Sequence, residues 1–400
     1  MHCVIISDSA SFPWGMAAST RVRNIAKALV HQGVNVQYLG LHGANTENHD
    51  GKRLSGFEDG IRYNYPGCFP VRSKNWFIRR IDDLSGKWLS LIKIKQLKKQ
   101  GRIDTVIIYS RKYDTVLFWS KKIKKLGIKV ILELCEWPLA NTYSNNFSIE
   151  NAKKFCNYAI LTVDAILPIS RYIENKVKDI TKKNAKTIPT FIIPILTDLS
   201  FSSDNRIVNE HKDKTNYILY AGAINYLDIA FFVVDVMSDL KSRGHEIILK
   251  FTGGGEPHLF NQIKAYINKK DVVDLIEFSG FLEEKELMIY MTNALCLLAP
   301  LPETEQSKAR FPTKIGFYLS SSRPVITNAV GSVNEYLTDG ENAYIANNYE
   351  AELFAEKIID IVKSPEEANR IGERGQQLAI KKFYYKNACT GLKEFLEKPQ

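Results

Sequence analysis

Short apolar runs that alternate with longer amphipathic stretches constrain this chain more than any other feature. Residues 3–7 (CVIIS) form the first apolar run, and residues 19–32 follow with Val22, Ile25, Ala26 and Leu29 at helical spacing. A run of this kind suits a strand covered on both faces, and the amphipathic stretch suits the helix that covers it, so the pair is a βαβ signature. The runs at 34–39, 105–109, 129–134 and 165–169 continue the series. A second series begins at 217–221 and continues through 246–252, 275–279, 294–298, 324–326 and 343–346. Two series predict an α/β chain of two doubly wound, Rossmann-like domains facing an interdomain cleft. In such sheets the loops after the strands carry the chemistry.

Pro189 and Pro194 interrupt regular structure between the series, and the polar run 202–216 reads as a linker. The domain expectation is therefore 1–200, 201–380 and a C-terminal helical segment, 381–400, returning towards the first domain. With 400 residues and 45% hydrophobic side chains, the chain can build a core in each half, which excludes disordered, collagenous and disulfide-stapled classes. The apolar stretches 4–6 and 158–169 are too short to cross a bilayer, and the start lacks the basic leader of a signal peptide, so a cytoplasmic location is expected. The six cysteines show no CxxC or Cys/His spacing, so neither a zinc site nor a disulfide framework is expected.

Charge divides the chain. Residues 1–200 hold 31 Lys and Arg against 16 Asp and Glu, whereas residues 201–400 hold 23 against 28. The first half is suited to something anionic: a phospholipid surface, a lipid-linked diphosphate or nucleic acid. Residues 72–102 are the densest stretch, with ten basic and two acidic residues interleaved with Trp76, Phe77, Ile78, Trp88, Leu89, Leu91 and Ile92. That composition suits a helix on an anionic membrane surface, against the alternatives of a solvated outer helix or a nucleic-acid contact; the expectation is membrane and no nucleic acid.

Three strand-end regions are candidates for a site. After the first run come Gly15 in a flexible loop, Ser19 or Thr20 as a helix cap, and Arg21 and Arg23, a grouping suited to a phosphate or carboxylate. The loop is not GxGxxG and has no acidic partner some way downstream, which argues against a nicotinamide enzyme. In the second half, Gly222 ends YILYAG, and Gly253, Gly254 and Gly255 end EIILKFTGGG, where the missing Cβ atoms admit a diphosphate or base. The third region, RFPTKIGFYLSSSRPVI (310–326), places Pro312 and Thr313 at a helix start, with Arg310 before it and Lys314 in its first turn. Lysine is disfavoured there by the helix dipole, and a bound diphosphate supplies a reason for it.

In this order, YILYAG, FTGGGEP, RFPTKIGFYL, SSSRPVI and GSVNEYLTDGENAYI resemble the nucleotide-sugar-binding half of bacterial family-4 retaining glycosyltransferases of the GT-B fold, and SFPWGMAASTRVRNIAKALVHQGVNVQYL is similar to their first loop and helix. The resemblance implies an acceptor on the first domain, a nucleotide-diphosphate sugar on the second, transfer with retention of configuration, and no metal or other cofactor. The chain also lacks a DxD triplet of the kind that carries a metal-bound diphosphate. It departs from the family where an Arg and a Lys usually hold the diphosphate, which here are Ala223 and Leu227 or Asp228. The family's Glu-x7-Glu pair falls on Ala309 and Phe317. Arg310 and Lys314 are expected to replace the cations, and Glu303 or Glu305 a carboxylate. Arg310 and Lys314, with the Gly254 region, would stabilise the departing diphosphate.

Glu136, in LELCEWP, is the carboxylate expected to orient or deprotonate the acceptor hydroxyl, and Glu335 resembles a donor-side residue that caps a helix. The function expected is transfer of a sugar to a lipid-linked or oligosaccharide acceptor in surface-polysaccharide synthesis, on the inner face of the cytoplasmic membrane. The alternatives are a catalytically degenerate partner subunit and a sugar-nucleotide epimerase.

Overall fold

The computed structural model describes every residue except 14, 16, 44–53, 68, 70, 142–145, 200–216 and 399–400. The expected linker at 202–216 and Cys68 lie outside the described residues. The chain divides into two compact units, one of Met1–Leu196 with Tyr385–Gln400 and one of Thr197–Tyr384.

The first unit runs β1 (His2–Ser7), α1 (Ala17–His31), β2 (Asn35–Gly40), β3 (Ser55–Glu58), β4 (Ile61–Asn64), α2 (Trp76–Lys99), β5 (Thr105–Tyr109), α3 (Tyr113–Lys124), β6 (Lys129–Leu134), α4 (Asn146–Lys154), β7 (Ala165–Pro168) and α5 (Arg171–Lys183). Its seven strands lie in the order β3-β4-β2-β1-β5-β6-β7, parallel except for β3 against β4. All five residues of β5 are buried, as a strand covered on both faces requires. The sequence expectation missed the β3–β4 hairpin. Its signal is Asp59-Gly60, both at positive φ (50° and 79°), the dipeptide of a tight hairpin turn.

The second unit continues with β8 (Tyr217–Ala221), α6 (Leu227–Ser242), β9 (Ile248–Thr252), α7 (Pro257–Lys269), β10 (Ile276–Gly280), α8 (Glu284–Asn293), β11 (Cys296–Leu298) and the short helices α9 (Glu305–Ala309) and α10 (Thr313–Leu319). It closes with β12 (Val325–Asn328), α11 (Val333–Tyr336), β13 (Tyr344–Ala346), α12 (Ala351–Lys363) and α13 (Pro365–Lys382). Its six strands are all parallel, in the order β10-β9-β8-β11-β12-β13. Val233, Val234, Leu249, Phe251, Phe354 and Ile358 fill the space between this sheet and its helices. Each contributes roughly 1.5–3 kcal/mol by leaving water.

The short helices α14 (Tyr385–Ala388) and α15 (Leu392–Glu397) belong to the first unit. Gln32 after α1 fixes them: its Nε2 donates to Cys389 O (2.9 Å), and its Oε1 accepts from Lys393 N (2.9 Å). Lys129 Nζ donates to the carbonyls of Leu396 in α15 (3.0 Å) and of Lys398 just beyond it (2.8 Å), placing a cation where a helix C-terminus favours one.

In both sheets the strand order reverses beside the central strand. β1 lies between β2 and β5, and β8 lies between β9 and β11. The carboxyl ends of β1 and β5, and of β8 and β11, are therefore the crevices where such sheets hold ligands.

Candidate active site

On the second unit, the end of β8 is held by Tyr318 of α10, which is buried: Ala221 N donates to Tyr318 Oη (2.7 Å). This bond brings the first turn of α10 to the strand end, where Lys314 Nζ sits 4.4 Å from the centre of the Tyr220 ring. Among the described residues no carboxylate pairs with Lys314. Burial pushes its ammonium down from the ordinary 10.5 to about 8. A charge over an aromatic face recovers part of its lost hydration, and an incoming anion can supply the rest.

The adjoining glycines divide by role. Gly253, at φ 142°, lies so close to β8 that a Cβ there would be 2.0 Å from Gly222 O, whereas a Cβ at Gly254 would meet nothing within 4 Å. Gly253 therefore serves the packing of two strand ends. Gly254 leaves open space of the kind a ligand needs. Gly222 N donates to Thr252 O (2.9 Å), and Ile224 N donates to Gly254 O (3.1 Å).

Thr313 is the first residue of α10 and Pro312 its cap, as the sequence indicates. The helix has seven residues, so its aligned dipoles are few. Phe311 stacks on Tyr336 of α11 (5.3 Å between ring centres, 8° between planes), and both pack against Phe383. This cluster brings the segment holding the half-buried Arg310 beside the helix holding Glu335. Glu335 is exposed and accepts from Ser332 Oγ (3.2 Å). At the two positions where the resemblance implies carboxylates, Ala309 is buried and Phe317 half-buried. Glu303 and Glu305 are exposed.

The first unit corrects the expectation for the loop after β1. Helix α1 begins at Ala17, so Ser19 lies inside it, and Ser19 Oγ accepts from Ser11 N (2.9 Å). Gly15, at φ 153°, faces this same hydroxyl, with a Cβ position only 2.1 Å from Ser19 Oγ. Arg21 does meet a carboxylate, but the protein's own: its Nε donates to Glu133 Oε1 of β6 (2.5 Å), Nη1 to Pro194 O (2.8 Å) and Nη2 to Ile193 O (2.8 Å). All three nitrogens are used inside the fold, so Arg21 is a strut and not an anion ligand. Burial pushes the Glu133 carboxyl above its ordinary value despite the guanidinium beside it. Arg23 turns elsewhere, donating from Nε to Asp59 Oδ2 at the hairpin (2.6 Å). Gly15, Arg21 and Arg23 therefore form no common site.

Glu136, just beyond β6, forms an ion pair with Arg111, just beyond β5. Asp8 follows β1; it accepts from Thr115 Oγ1 (2.9 Å) and lies 3.3 Å from Lys112 Nζ. The sequence reading missed Asp8, Arg111 and Lys112, although Asp8 directly follows the first buried run. Helix α2 lines the same pocket as Asp8, Arg111 and Lys112. It docks through Asp82, Gly86, Ser90, Ile94 and Leu97, and a Cβ at Gly86 would come 2.0 Å from Leu41 O. The opposite side exposes Phe77, Ile81, Leu84, Trp88 and Ile92, spaced at four, three, four and four residues, which is one continuous stripe. Its two acids are engaged by the fold: Asp82 is buried and accepts from Gly43 N, and Asp83 accepts from Arg72 Nη1 (2.7 Å). Among the described residues no helix is long and apolar enough to cross a membrane, and no group of three or more His, Cys, Asp and Glu is placed to hold a metal ion.

Residues 201–378 match the family described as Glycosyl transferases group 1. Solved structures of GT-B glycosyltransferases share the fold. Sucrose-phosphate synthase from Thermosynechococcus elongatus superposes with a TM-score of 0.73 at 13% identity, over 99% of this chain and 98% of that one. Anabaena HepE in complex with UDP gives 0.71 at 12% identity, over 99% of each chain.

Two curated relatives are similar in sequence. One is an uncharacterized glycosyltransferase of Methanocaldococcus jannaschii, 23% identical over 243 residues, or 61% of this chain and 62% of that protein. The other is spore coat protein SA of Bacillus subtilis, 20% identical over 188 residues, or 45% and 48%. The alignments thus span about half to three fifths of these relatives' lengths.

Proposed function

We propose that this chain is a retaining, metal-independent glycosyltransferase that moves a sugar from a nucleotide-diphosphate donor to a lipid-linked or saccharide acceptor in cell-surface polysaccharide synthesis. One observation carries the reading: Lys314 places an ammonium without a carboxylate partner among the described residues beside the carboxyl end of β8, within the segment that matches the glycosyltransferase family. As the anomeric C–O bond breaks, negative charge builds on the departing diphosphate, and a poorly hydrated cation stabilises it more than one in water would. Arg310, from the adjoining segment, adds a second positive charge, and the open backbone at Gly254 gives the phosphates access.

On the acceptor unit, Glu136 would orient the nucleophilic hydroxyl, with Arg111 setting the position of its carboxylate. The outward face of α2, apolar in its centre and basic at its margins, would rest on the anionic inner face of the cytoplasmic membrane.

Calorimetry with UDP, GDP and ADP tests the donor site, with Lys314→Ala expected to weaken the nucleotide that binds. Nucleotide release from nucleotide sugars, with and without lipid extract, tests turnover. Binding without release from any donor would favour the second reading, a degenerate relative acting as a partner subunit. Specific observations favour that reading: Ala309 and Phe317 offer no carboxylate, and Ala223 and Leu227 or Asp228 no cation, at the positions the resemblance marks.

A further inference from the structure

At the β1/β5 crossover of the first unit lies a pocket of about 680 Å³. It is lined by residues just after β1, β2 and β5 and by α2, including Asp8, His42, Arg80, Lys87, Arg111 and Lys112. Two of these cations, Arg80 and Lys87, have no ion pair among the described residues, although Lys87 Nζ lies 5.7 Å from the centre of the Phe118 ring. Lys112 is held by Asp8, and Asp83 and Asp114 also line the wall. Asp83, however, is neutralised by Arg72 from outside the pocket. Beneath lies buried His42, whose Nδ1 is 2.8 Å from Gly43 O and whose Nε2 is 2.6 Å from Asp8 O. Both neighbours are carbonyl acceptors, to one of which a neutral imidazole donates, so the ring is engaged with the backbone. With Lys112 paired to Asp8 and Arg111 to Glu136, Arg80 and Lys87 are the pocket's cations without an ion pair among the described residues, at the place where a parallel sheet holds ligands.

Arg80 and Lys87 are seven residues apart, two turns along one line of α2 and about 10 Å apart in rise, so both border the same side of the pocket. Leu84 lies between them, lines the pocket and is 54% exposed. It also belongs to the outward stripe that continues through Trp88, itself 61% exposed. A cationic pocket therefore opens directly onto an apolar track on the same helix.

We propose that this pocket binds the phosphate or diphosphate group of an amphiphile, whose hydrocarbon tail lies along the Leu84–Trp88 track. Under the transferase reading, on which the term acceptor rests, this makes the acceptor a lipid phosphate or diphosphate and not a free saccharide. Arg80 and Lys87 are then anion-binding residues.

The test is calorimetry on the full chain with three probes: decyl diphosphate, inorganic pyrophosphate and neutral decyl glucoside. Decyl diphosphate is expected to bind at least tenfold more tightly than pyrophosphate, and the glucoside not measurably. Arg80→Gln with Lys87→Gln should weaken decyl diphosphate at least tenfold, Arg80→Lys with Lys87→Arg should retain it, and Lys93→Gln with Lys95→Gln should leave it within twofold. Equal binding by the Gln pair and the wild type would overturn the site. Equal affinity for pyrophosphate and decyl diphosphate would overturn the amphiphile. A UDP titration of each variant separates the two claims: absence of UDP binding by the wild type defeats the donor reading alone, whereas unchanged UDP affinity in the Gln pair shows that its loss of decyl diphosphate is local.

Discussion

Replacing Lys314 with methionine should make the protein more stable and less able to bind nucleotide. Methionine keeps the length and apolar stem of the side chain and removes the ammonium. The Lys314 pKa falls from 10.5 to about 8 because burial penalises the charged form. That difference corresponds to about 3 kcal/mol of destabilisation wherever the group is charged in both the folded and unfolded states. The penalty is complete below about pH 8 and fades as pH rises from the folded value of about 8 towards the unfolded 10.5. Loss of the contact with Tyr220 offsets about 0.5–2 kcal/mol of the gain.

Lys314→Met should therefore exceed the wild type by about 1–3 kcal/mol at pH 7 and converge with it above pH 10. Urea midpoints measured from pH 6 to 11 give this difference, and calorimetry at each pH gives the nucleotide affinity. A lost charge-assisted phosphate contact is worth about 1.5–3 kcal/mol, or roughly ten- to a hundredfold in affinity at pH 7. Wild-type affinity should itself fall above pH 8 as the free lysine loses its proton. A methionine variant that is less stable at pH 7, or that binds nucleotide as well as the wild type, would refute the reasoning.

Arg21→Met should destabilise the first unit by about 3–5 kcal/mol in urea unfolding, because Glu133 is left buried without its partner, and adding Glu133→Leu should recover much of the loss. Gly253→Ala should lower the melting temperature of the second unit through its clash with Gly222 O, while Gly254→Ala should leave melting unchanged and weaken UDP binding. Trp88→Asp should abolish co-sedimentation with vesicles containing anionic lipid without altering the melting temperature, since the indole is exposed; retained binding, or binding insensitive to salt, would remove α2 from the membrane.

Most of the architecture was legible because a buried parallel strand cannot avoid an apolar run, and a covering helix cannot avoid helical spacing. β5, β6 and β8 coincide with their runs to the residue. The β3–β4 hairpin escaped because its residues alternate in burial and make no apolar run, so its evidence was a turn dipeptide rather than a stretch of hydrophobic residues. Lys314 was legible as a residue type that its position disfavours. Its contact with Tyr220 was not, because 94 residues separate them in sequence and the Tyr318 bond that joins α10 to β8 is a tertiary contact.

The amino-acid sequence alone determined two doubly wound halves, a basic first half and a helix start at 312–313 with a lysine in its first turn, since periodicity, charge and local helix chemistry act over short distances along the chain. Tertiary structure decided which cations remain available. Arg21 and Arg23 look like phosphate ligands until folding gives them Glu133 and Asp59, and Arg80 and Lys87 look like surface charge until folding sets them in the wall of a pocket. A charged side chain announces its sign in the sequence, but its partner is chosen by the three-dimensional packing of distant segments, so availability for a ligand is a property of the fold.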